Sequence, residues 1–492
     1  MRASPGAAVH KTHAEDLVTS SPYTLPIINP EMAPAYALRV VAALEQAGFE
    51  AWLVGGWVRD ALRGVGAHDV DVCTSAPWQQ TKLVLGAAGI TVHETGTQHG
   101  TVTAVVEGHP VETTTYRVEG DYSDQRHPDS VTFVTDVRED LARRDFTVNA
   151  MAWHPTRGLL DPFGGREDLA AGVIRAVGEP HVRFEEDALR VLRAVRFACR
   201  LGFHIEPATQ RALTAAAHEL AHVARERVGA ELRGILNSGR GAWALRHQTE
   251  VMVAAIPELA RMRGFEQRSP YHAYDVLEHT ARVMAGVECF CGGVVSERLR
   301  WAALLHDVGK PACFTVDAKG QGHFFGHPHE GAVLSERILR ELAIPQELAR
   351  AIVALVRLHD RPCKASTASE LKLIAELDRR SGVRERGEVI ALMHEMLDLR
   401  RADAIAKALP CRSWAVELNA HEDVLRELTE AQGCWRVADL AVSGCDVMEA
   451  AGMVPGPAVG KTLNAALEAV MAGELSNERE ELLGWVRAHA DA

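Results

Sequence analysis

The sequence lacks the cysteine spacing of disulfide-stabilised and zinc-ribbon proteins. Its 492 residues include nine cysteines, an odd number, and none forms a C-x-x-C pair. Scattered cysteines of this kind are typical of reduced thiols in a cytosolic protein. The sequence also lacks an apolar run long enough to span a membrane, and no apolar core follows the first basic residue as in a signal peptide. We therefore expect a cytoplasmic protein without a membrane partner.

An excess of basic residues is missing as well. The 53 lysines and arginines are outnumbered by 66 aspartates and glutamates, and the formal net charge is −13. This balance excludes a surface that is basic throughout, so any contact with nucleic acid must come from local basic patches. What is present is a globular composition, 47% hydrophobic and 24% charged. The length predicts two to four domains.

The residue pattern changes along the chain from mixed to helical. Residues 1–35 carry five prolines and show no sustained period, which predicts a loose arm. Strand-like and helical stretches then alternate up to about residue 165, which predicts an α+β domain with a mixed sheet. Helical spacing dominates from residue 167 onward. We predict a flexible arm (1–35), an α+β head (36–165), and all-α neck (166–255), body (256–400) and tail (401–492) domains.

Individual elements follow from the spacing of apolar residues. In the head we predict a helix over 35–46, a strand over 51–54, a short helix from near 58, and strands over 69–73, 100–106, 111–117 and 130–134. In the helical part we predict helices over 184–200, 296–305, 334–342 and 348–358.

The densest chemical signal lies in the head. Gly55 and Gly56 separate a strand from a helix, so backbone amides there can approach a phosphate, and Arg59 can pair with one. Such a turn is common and means little alone. Asp69 and Asp71 follow it, and residues two apart in a strand point to one face. Two close carboxylates repel unless a cation lies between them, and phosphoryl transfer needs a pair of cations.

These motifs resemble the polymerase-beta-type nucleotidyltransferases. The runs LVGGWVRD and HDVDVCTSA are similar to the signature of the class II branch, which contains CCA-adding enzymes and bacterial poly(A) polymerases. The resemblance implies a two-metal Mg²⁺ enzyme that extends the 3′ end of tRNA from CTP and ATP. Glu112, on a candidate strand, resembles the third carboxylate of the family. We expect Asp69, Asp71 and Glu112 to be catalytic, with Mg²⁺ held by Asp69 and Asp71.

Further stretches resemble the same branch. Arg144 and Asp145 belong to RRDFTVNA, which is similar to the family motif that handles the ribose and the phosphates. Residues 161–165, DPFGG, resemble a hinge segment, and residues 120–128 resemble the flexible loop with which full CCA-adding enzymes switch from C to A. Residues 442–461 resemble the tail that grips tRNA. With Gly56 and Arg59, we expect Arg144 and Asp145 to bind the nucleotide.

A third motif, EDALR at 186–190, predicts recognition of the base. Helical spacing of three and four would place Asp187, Arg190 and Arg193 on a common face. A carboxylate can accept from the exocyclic amine that C and A share, while a guanidinium donates to a ring acceptor. The family uses this motif in that role, and Arg193 and Arg196 resemble positions that contact the phosphates. An ordinary Asp–Arg helix pair remains the alternative interpretation.

Histidines concentrate between residues 271 and 360. Burying the adjacent pair His306-Asp307 on an apolar helix without a cation would be costly, and imidazole with carboxylate suits a transition metal or Mg²⁺. The pattern H…HD…H…HD resembles the HD phosphohydrolases. The resemblance implies a divalent metal of unknown identity with ligands His279, His306, Asp307 and Asp360, and His327 and His359 at a second position. His329 could replace His327.

Three classes of function are compatible with the sequence. The first is a CCA-adding transferase with an accessory HD unit, and a poly(A) polymerase with the same head is its nearest rival. The second is an HD phosphohydrolase whose head only binds RNA. The third, a non-catalytic RNA-binding protein, is disfavoured because Asp69, Asp71 and Glu112 are all present. The oligomeric state does not follow from the sequence.

Overall fold

The computed structural model describes residues 25–66, 69–120, 131–290 and 295–489. The chain divides into two compact units, Met1–Ala216 and Ala217–Ala492. Among the described helices, none combines the length and the apolarity that crossing a bilayer demands. Apart from Gly120, the predicted switch loop over 120–128 lies outside the described residues, as does most of the predicted arm.

The first unit is built on a mixed sheet. Its strands are β1 Ala51–Val54, β2 Asp71–Thr74, β3 Thr91–Gly96, β4 Thr101–Val106, β5 His109–Thr115, β6 Arg117–Glu119, β7 Val131–Phe133, β8 Ala152–His154, β9 Gly158–Leu160, β10 Val173–Ile174 and β11 His204–Ile205. Seven of them form one sheet in the order β3-β4-β5-β2-β1-β8-β9. Only β2 and β5 are parallel neighbours in it. The predicted mixed α+β head is confirmed.

Eight helices belong to the described part of this unit, and the first three pack on the seven-stranded sheet. They are α1 Ala35–Gln46, α2 Gly56–Leu62, α3 Trp78–Ala87, α4 Val137–Ala142, α5 Gly165–Ala171, α6 Pro180–Glu186, α7 Leu189–Leu201 and α8 Pro207–Ala216. The predicted helix over 35–46 and strand over 51–54 have these bounds in the structure. On α1, Ala37, Val40, Val41 and Leu44 are buried, as the spacing of three and four requires for a helix lying on a sheet.

Two predicted elements of this unit are wrong in detail. The strand predicted over 69–73 begins only at Asp71, so Asp69 precedes β2 and the alternation of a strand does not extend to it. The helix predicted over 184–200 is interrupted, because Asp187 has an extended backbone (φ −144°, ψ 104°) between α6 and α7. Aspartate favours such a position, since its carboxylate can satisfy backbone amides at the start of a helix.

The second unit is helical. Its helices are α9 Arg225–Ile235, α10 Gly241–His247, α11 Thr249–Ala255, α12 Val276–Phe290, α13 Glu297–Leu305, α14 His327–Glu341, α15 Gln346–Leu358, α16 Thr367–Ser381, α17 Arg386–Ala406, α18 Trp414–Glu430, α19 Gly444–Ala451, α20 Pro457–Ala472 and α21 Arg479–His489. One short hairpin joins them, β12 Thr315–Val316 with β13 Gly322–His323. The mainly helical character predicted for this part is confirmed.

The core of the second unit surrounds the histidine-rich segment. Helix α13 is buried from Trp301 to Leu305, and α12, α15 and α17 pack against it. Residues 306 and 307 follow α13 directly, so the adjacent His-Asp pair enters the interior at the end of a buried helix. The predicted helix over 334–342 begins earlier than expected, at His327, with Pro328 in its first turn.

Candidate functional site: a carboxylate centre and a histidine centre

The strand pairing of the first unit brings two acidic side chains together. Asp71 on β2 lies opposite Glu112 on the parallel strand β5. Burial and the neighbouring charges of Glu112 and Asp69 raise the pKa of Asp71 to about 6, although Arg144 opposes the shift. Asp69 is thus close enough to act on Asp71 although it lies outside the strand. A divalent cation stabilises carboxylates that lie this close together.

Gly55 allows an arginine to approach these carboxylates. Its backbone has φ 71° and ψ −128°, a conformation that side chains with a Cβ rarely adopt. A Cβ at this position would lie 2.9 Å from Arg144 Nη1 and 3.9 Å from Asp71 Oδ2. Arg144 is therefore held beside Asp71, where a guanidinium can also bind a phosphate. Sequence reasoning assigned the glycines to the phosphate and missed this contact.

Asp145 is the centre of a buried hydrogen-bond network. Arg193 donates to Asp145 Oδ2 from Nε at 2.9 Å and from Nη2 at 2.6 Å. Asn149 donates to Asp145 Oδ1 at 3.1 Å and accepts from Arg59 Nη1 at 2.7 Å. Burial raises the pKa of Asp145, but Arg193 and Asn149 outweigh it and hold the pKa below its usual value. Arg59 is buried and also pairs with Asp60 at 2.8 Å, so its contacts in the structure are those of a structural residue.

Three arginines of this unit lie around one aromatic ring. The guanidinium groups of Arg59, Arg193 and Arg196 lie 5.5, 5.5 and 4.5 Å from the centre of the Phe197 ring. Phe146 packs edge-on against the same ring at 5.8 Å between centroids. Cation–π contacts of this kind hold positive charge in place without neutralising it. Arg59 and Arg193 are at the same time paired with Asp60 and Asp145.

The residues that we predicted to recognise the base do not all lie on one helix, contrary to expectation. Asp187 lies before α7, and its Oδ1 accepts a hydrogen bond from the Leu189 amide at 3.0 Å. Arg190 is on α7, where it donates to the carboxylate of Glu186 and, at 3.2 Å, to the backbone carbonyl of Arg143. Both side chains therefore have structural contacts, and the Asp187 carboxylate supports the start of α7.

In the second unit three histidines are oriented in the same way. The Nδ1 atoms of His306, His327 and His359 lie 2.9, 2.9 and 2.7 Å from the backbone carbonyl three residues earlier. A carbonyl only accepts, so each Nδ1 carries a proton, and in His327 and His359, whose pKa burial lowers, Nε2 presents a lone pair. The Nε2 atoms of His327 and His359 face each other at 3.3 Å. Two lone pairs at that distance repel, and a bound cation removes the repulsion.

These nitrogens converge on Asp307. The distances from Nε2 to the Asp307 carboxylate are 3.4 Å for His279, 3.2 Å for His306, 3.5 Å for His327 and 3.9 Å for His359. Lys310 Nζ lies 2.7 Å from the same carboxylate. Burial lowers the pKa of His359 well below its usual value, and it lowers the pKa of His279. Asp307 outweighs burial at His306 and raises the pKa of that imidazole. Imidazoles around a buried carboxylate form a donor set that suits a transition metal.

The positions of Asp360 and Asp403 differ from the expected ligand set. Asp360 is exposed and lies outside both groups of potential ligands, His279-His306-Asp307 and Asp307-His327-His359. Asp403, on α17, was missed, and its Oδ1 lies 3.0 Å from His279 Nε2. No local signal could have identified it, because 124 residues separate the two. Of the two alternatives in the segment from 326, His327 is buried in the cluster and His329 is exposed.

A cavity of about 590 Å³ opens onto the histidine cluster. Its walls include His327, His359 and Asp307 together with basic residues, Lys310 and Arg357 among them. A metal centre at the bottom of a cavity with basic walls can bind an anionic ligand such as a phosphoester.

Three family models match the chain. The Poly A polymerase head domain matches residues 51–175, the probable RNA- and SrmB-binding site of polymerase A matches residues 202–262, and the putative tRNA nucleotidyltransferase domain 2 matches residues 332–486. The first match contains the three carboxylates together with Arg59, Arg144 and Asp145, whereas Arg193 and Arg196 lie outside the matched residues.

Curated and solved relatives cover nearly the whole chain. The CCA-adding enzyme of Geobacillus stearothermophilus is 33% identical over 92% of this chain and 96% of its own length. The CCA-adding enzyme of Lacticaseibacillus paracasei is 33% identical over 91% and 94%. The crystal structure of the Bacillus stearothermophilus CCA-adding enzyme in complex with CTP has a TM-score of 0.68 at 30% identity and covers 93% of this chain and 97% of that one. The chain therefore belongs to the family of the CCA-adding enzymes.

Proposed function

We propose that the chain adds CCA to the 3′ end of tRNA from CTP and ATP, with Asp69, Asp71 and Glu112 as its catalytic carboxylates. The observation that carries the proposal is the pairing of Asp71 with Glu112 across β2 and β5, with Asp69 close enough to raise the pKa of Asp71. Relatives named for CCA addition, similar over nearly the full length, support it.

The acidic cluster fits a divalent cation, because a buried carboxylate whose pKa is raised by neighbouring carboxylates, as that of Asp71 is, can bind a cation in place of a proton. Enzymes of this family use a divalent metal, and we propose Mg²⁺, with Asp69 and Asp71 as ligands. When bound, Mg²⁺ supplies charge that activates the 3′-hydroxyl and neutralises the triphosphate. The carboxylates would hold that charge beside the central strands β2 and β5, which fixes where the reaction occurs.

The arginines supply the remaining positive charge. Arg144 is beside Asp71, and Arg193 and Arg196 surround Phe197 on α7. We assign the triphosphate to these three side chains, because a preorganised guanidinium stabilises developing charge on phosphate oxygens. Arg59 and Asp145 act by positioning, since both are buried in the network that fixes Arg193.

Selection of the base falls to Asp187 and Arg190 in this proposal. A carboxylate and a guanidinium together complement C and A and leave unpaired groups against U and G. The contacts of both residues within the neck restrict their rotation, as a template made of side chains requires. A tRNA substrate also places the enzyme in the cytoplasm.

A primer series tests the proposal. The protein is incubated with tRNAs that end before CCA, after C and after CC, each with a single NTP, and the products are sequenced. We expect C on the first two primers, A on the third, and no extension with UTP or GTP. Continued addition of A would identify a poly(A) polymerase, a stop after CC would identify a partial enzyme, and no extension would contradict the proposal.

We propose a second activity for the other unit, hydrolysis of phosphoesters at a metal centre. The observation that favours it is the facing pair of Nε2 lone pairs on His327 and His359 next to Asp307, under a cavity with basic walls. Of the expected ligands, we retain His279, His306, Asp307, His327 and His359 and add Asp403. The metal would supply a polarised water, and the basic side chains would orient the ester.

Hydrolysis of a chromogenic phosphodiester measures this activity directly. We expect turnover that depends on added Mn²⁺, Co²⁺ or Mg²⁺ and disappears in Asp307→Asn. The matched control is Asp317→Asn, which changes an exposed aspartate of the β12–β13 hairpin in the same unit. Full activity in Asp307→Asn, or none with any metal in the wild type, would refute the assignment.

A further inference from the structure

A third cluster of ligand-type side chains lies apart from both centres. Cys363 follows α15, Glu370 is in the first turn of α16, and His421 is in the middle of α18. Their sulfur, oxygen and nitrogen atoms all lie within 4.8 Å of one another. None of the three belongs to the carboxylate or the histidine centre.

Glu370 makes this cluster chemically unusual. Its side chain is fully buried, yet its Oε2 has no hydrogen-bond partner among the described residues. Its Oε1 is bonded to His421 Nδ1 and lies 3.7 Å from Cys363 Sγ. An ionised carboxylate in the interior is costly unless its charge and lone pairs are compensated.

The nearby arginine does not supply the missing partner. The guanidinium of Arg400 donates to the backbone carbonyls of Leu358, His359 and Arg361, at 2.9, 2.8 and 2.8 Å. These bonds direct it to the end of α15. The hydrogen bond of His421 goes to Oε1 and those of Arg400 go to backbone carbonyls, so Oε2 remains open to a cation from outside the chain.

We propose that Cys363, Glu370 and His421 bind a thiophilic divalent cation, Zn²⁺. A mixed sulfur, nitrogen and carboxylate set is a zinc donor set, and ligand atoms of a tetrahedral zinc site lie about 3.5 Å apart. The 3.7 Å between Cys363 Sγ and Glu370 Oε1 matches that spacing. The unpartnered Oε2 is a free ligand atom.

Binding has a defined proton balance. Burial and the neighbouring Glu370 raise the pKa of the Cys363 thiol to about 11, so the free thiol is protonated. Cys363 loses this proton to solvent as its sulfur binds the metal, and His421 ligates through Nδ1 with its proton moved to Nε2. Cys363 is half-buried, which leaves one side of the site open for a water molecule as fourth ligand. The ion would fasten the segment after α15 to α16 and α18.

Cobalt substitution of the full-length chain provides the test. A thiolate bound to Co²⁺ gives a charge-transfer absorption in the near ultraviolet, which the histidine centre cannot give because it has no sulfur ligand. We expect this band to rise with added Co²⁺ until the divalent-cation sites are filled, its loss on adding excess Zn²⁺, and a higher Tm with Zn²⁺. Cys363→Ser should lose the band, whereas Cys434→Ser, which changes another buried cysteine, should keep it.

A second measurement covers the case in which Cys363→Ser fails to fold. X-ray absorption of zinc in Asp307→Asn, whose histidine centre is impaired, should show one sulfur at about 2.3 Å. A zinc shell of nitrogen and oxygen alone, the absence of a cobalt band, or a band that persists in Cys363→Ser would each overturn the proposal. The outcome does not depend on CCA addition or on phosphoester hydrolysis.

Discussion

Among single substitutions, we expect replacement of Asp71 to impair the transferase reaction most. Asp71→Asn keeps the volume of the side chain and removes its charge, so the fold should persist while the cation loses a ligand. We expect the rate of nucleotide addition to fall by about a thousandfold or more, equivalent to at least about 4 kcal/mol. Single-turnover extension of tRNA measures this rate, and circular dichroism measures the fold.

The control for Asp71→Asn is Glu94→Gln, an exposed carboxylate of the same sheet that pairs with Lys82. It should change the rate by less than about twofold, since exposed ion pairs contribute little. Addition at a near-normal rate by Asp71→Asn would remove the carboxylates from the mechanism.

Asp187 has two possible roles that different substitutions separate. Its carboxylate supports the start of α7 through the Leu189 amide, and we propose that it also reads the base. Asn keeps one side-chain oxygen that can cap the helix and replaces the other with an amide donor. Ala removes both oxygens. Asp187→Asn should retain stability within about 0.5 kcal/mol, and Asp187→Ala should lose about 1 kcal/mol.

Both Asp187 variants should relax selection against UTP and GTP by about ten- to a hundredfold, since each base contact contributes about 1–3 kcal/mol. Competition between nucleotides on one primer measures this ratio. If both variants are slow but still exclude UTP and GTP, Asp187 is only a structural residue.

At the scale of an element, the turn between β1 and α2 determines the site. Gly55→Ala should strain a positive φ and push Arg144 away from Asp71, because the new Cβ would lie 2.9 Å from its guanidinium. We expect a loss of about 1–3 kcal/mol in stability and about a hundredfold in addition. Thermal unfolding and single-turnover extension measure the two effects.

Gly64 provides the matched comparison, since it has φ 69° with no atom within 4 Å of its potential Cβ. Gly64→Ala should cost stability alone. Equal losses of activity in both variants would mean that strain, and not the position of Arg144, explains the effect of Gly55→Ala.

The spacing of apolar residues is sufficient to predict some elements and insufficient for others. The helix Ala35–Gln46 was predicted with its bounds because its apolar residues recur at three and four and it lies on a sheet. The helix predicted over 184–200 is wrong because a periodic pattern continues across Asp187 while its carboxylate favours a break. Capping is a local competition between side chain and backbone, and periodicity does not report it.

At the scale of the whole molecule, the carboxylate and histidine centres belong to different compact units. His306→Ala removes one imidazole from the second unit, and we expect CCA addition to remain within about twofold of the wild type because the residues of the first unit are unchanged. Metal content and phosphodiesterase turnover should fall in the same preparation. A loss of CCA addition in a folded His306→Ala protein would show that the two units depend on each other.

The sequence by itself determined the acidic centre and most of the histidine centre. Asp69 lies two residues from Asp71, and His306 is adjacent to Asp307. Short spacings of this kind are enough to predict the chemistry of each pair. The tertiary structure decided the rest: it paired Asp71 with Glu112, left Asp360 outside the two groups of potential ligands, and brought Asp403 to His279 from 124 residues away. It also brought Cys363 and Glu370 to His421. The physical reason is that spacing encodes which side of an element a residue occupies, whereas the packing of elements selects which sides meet.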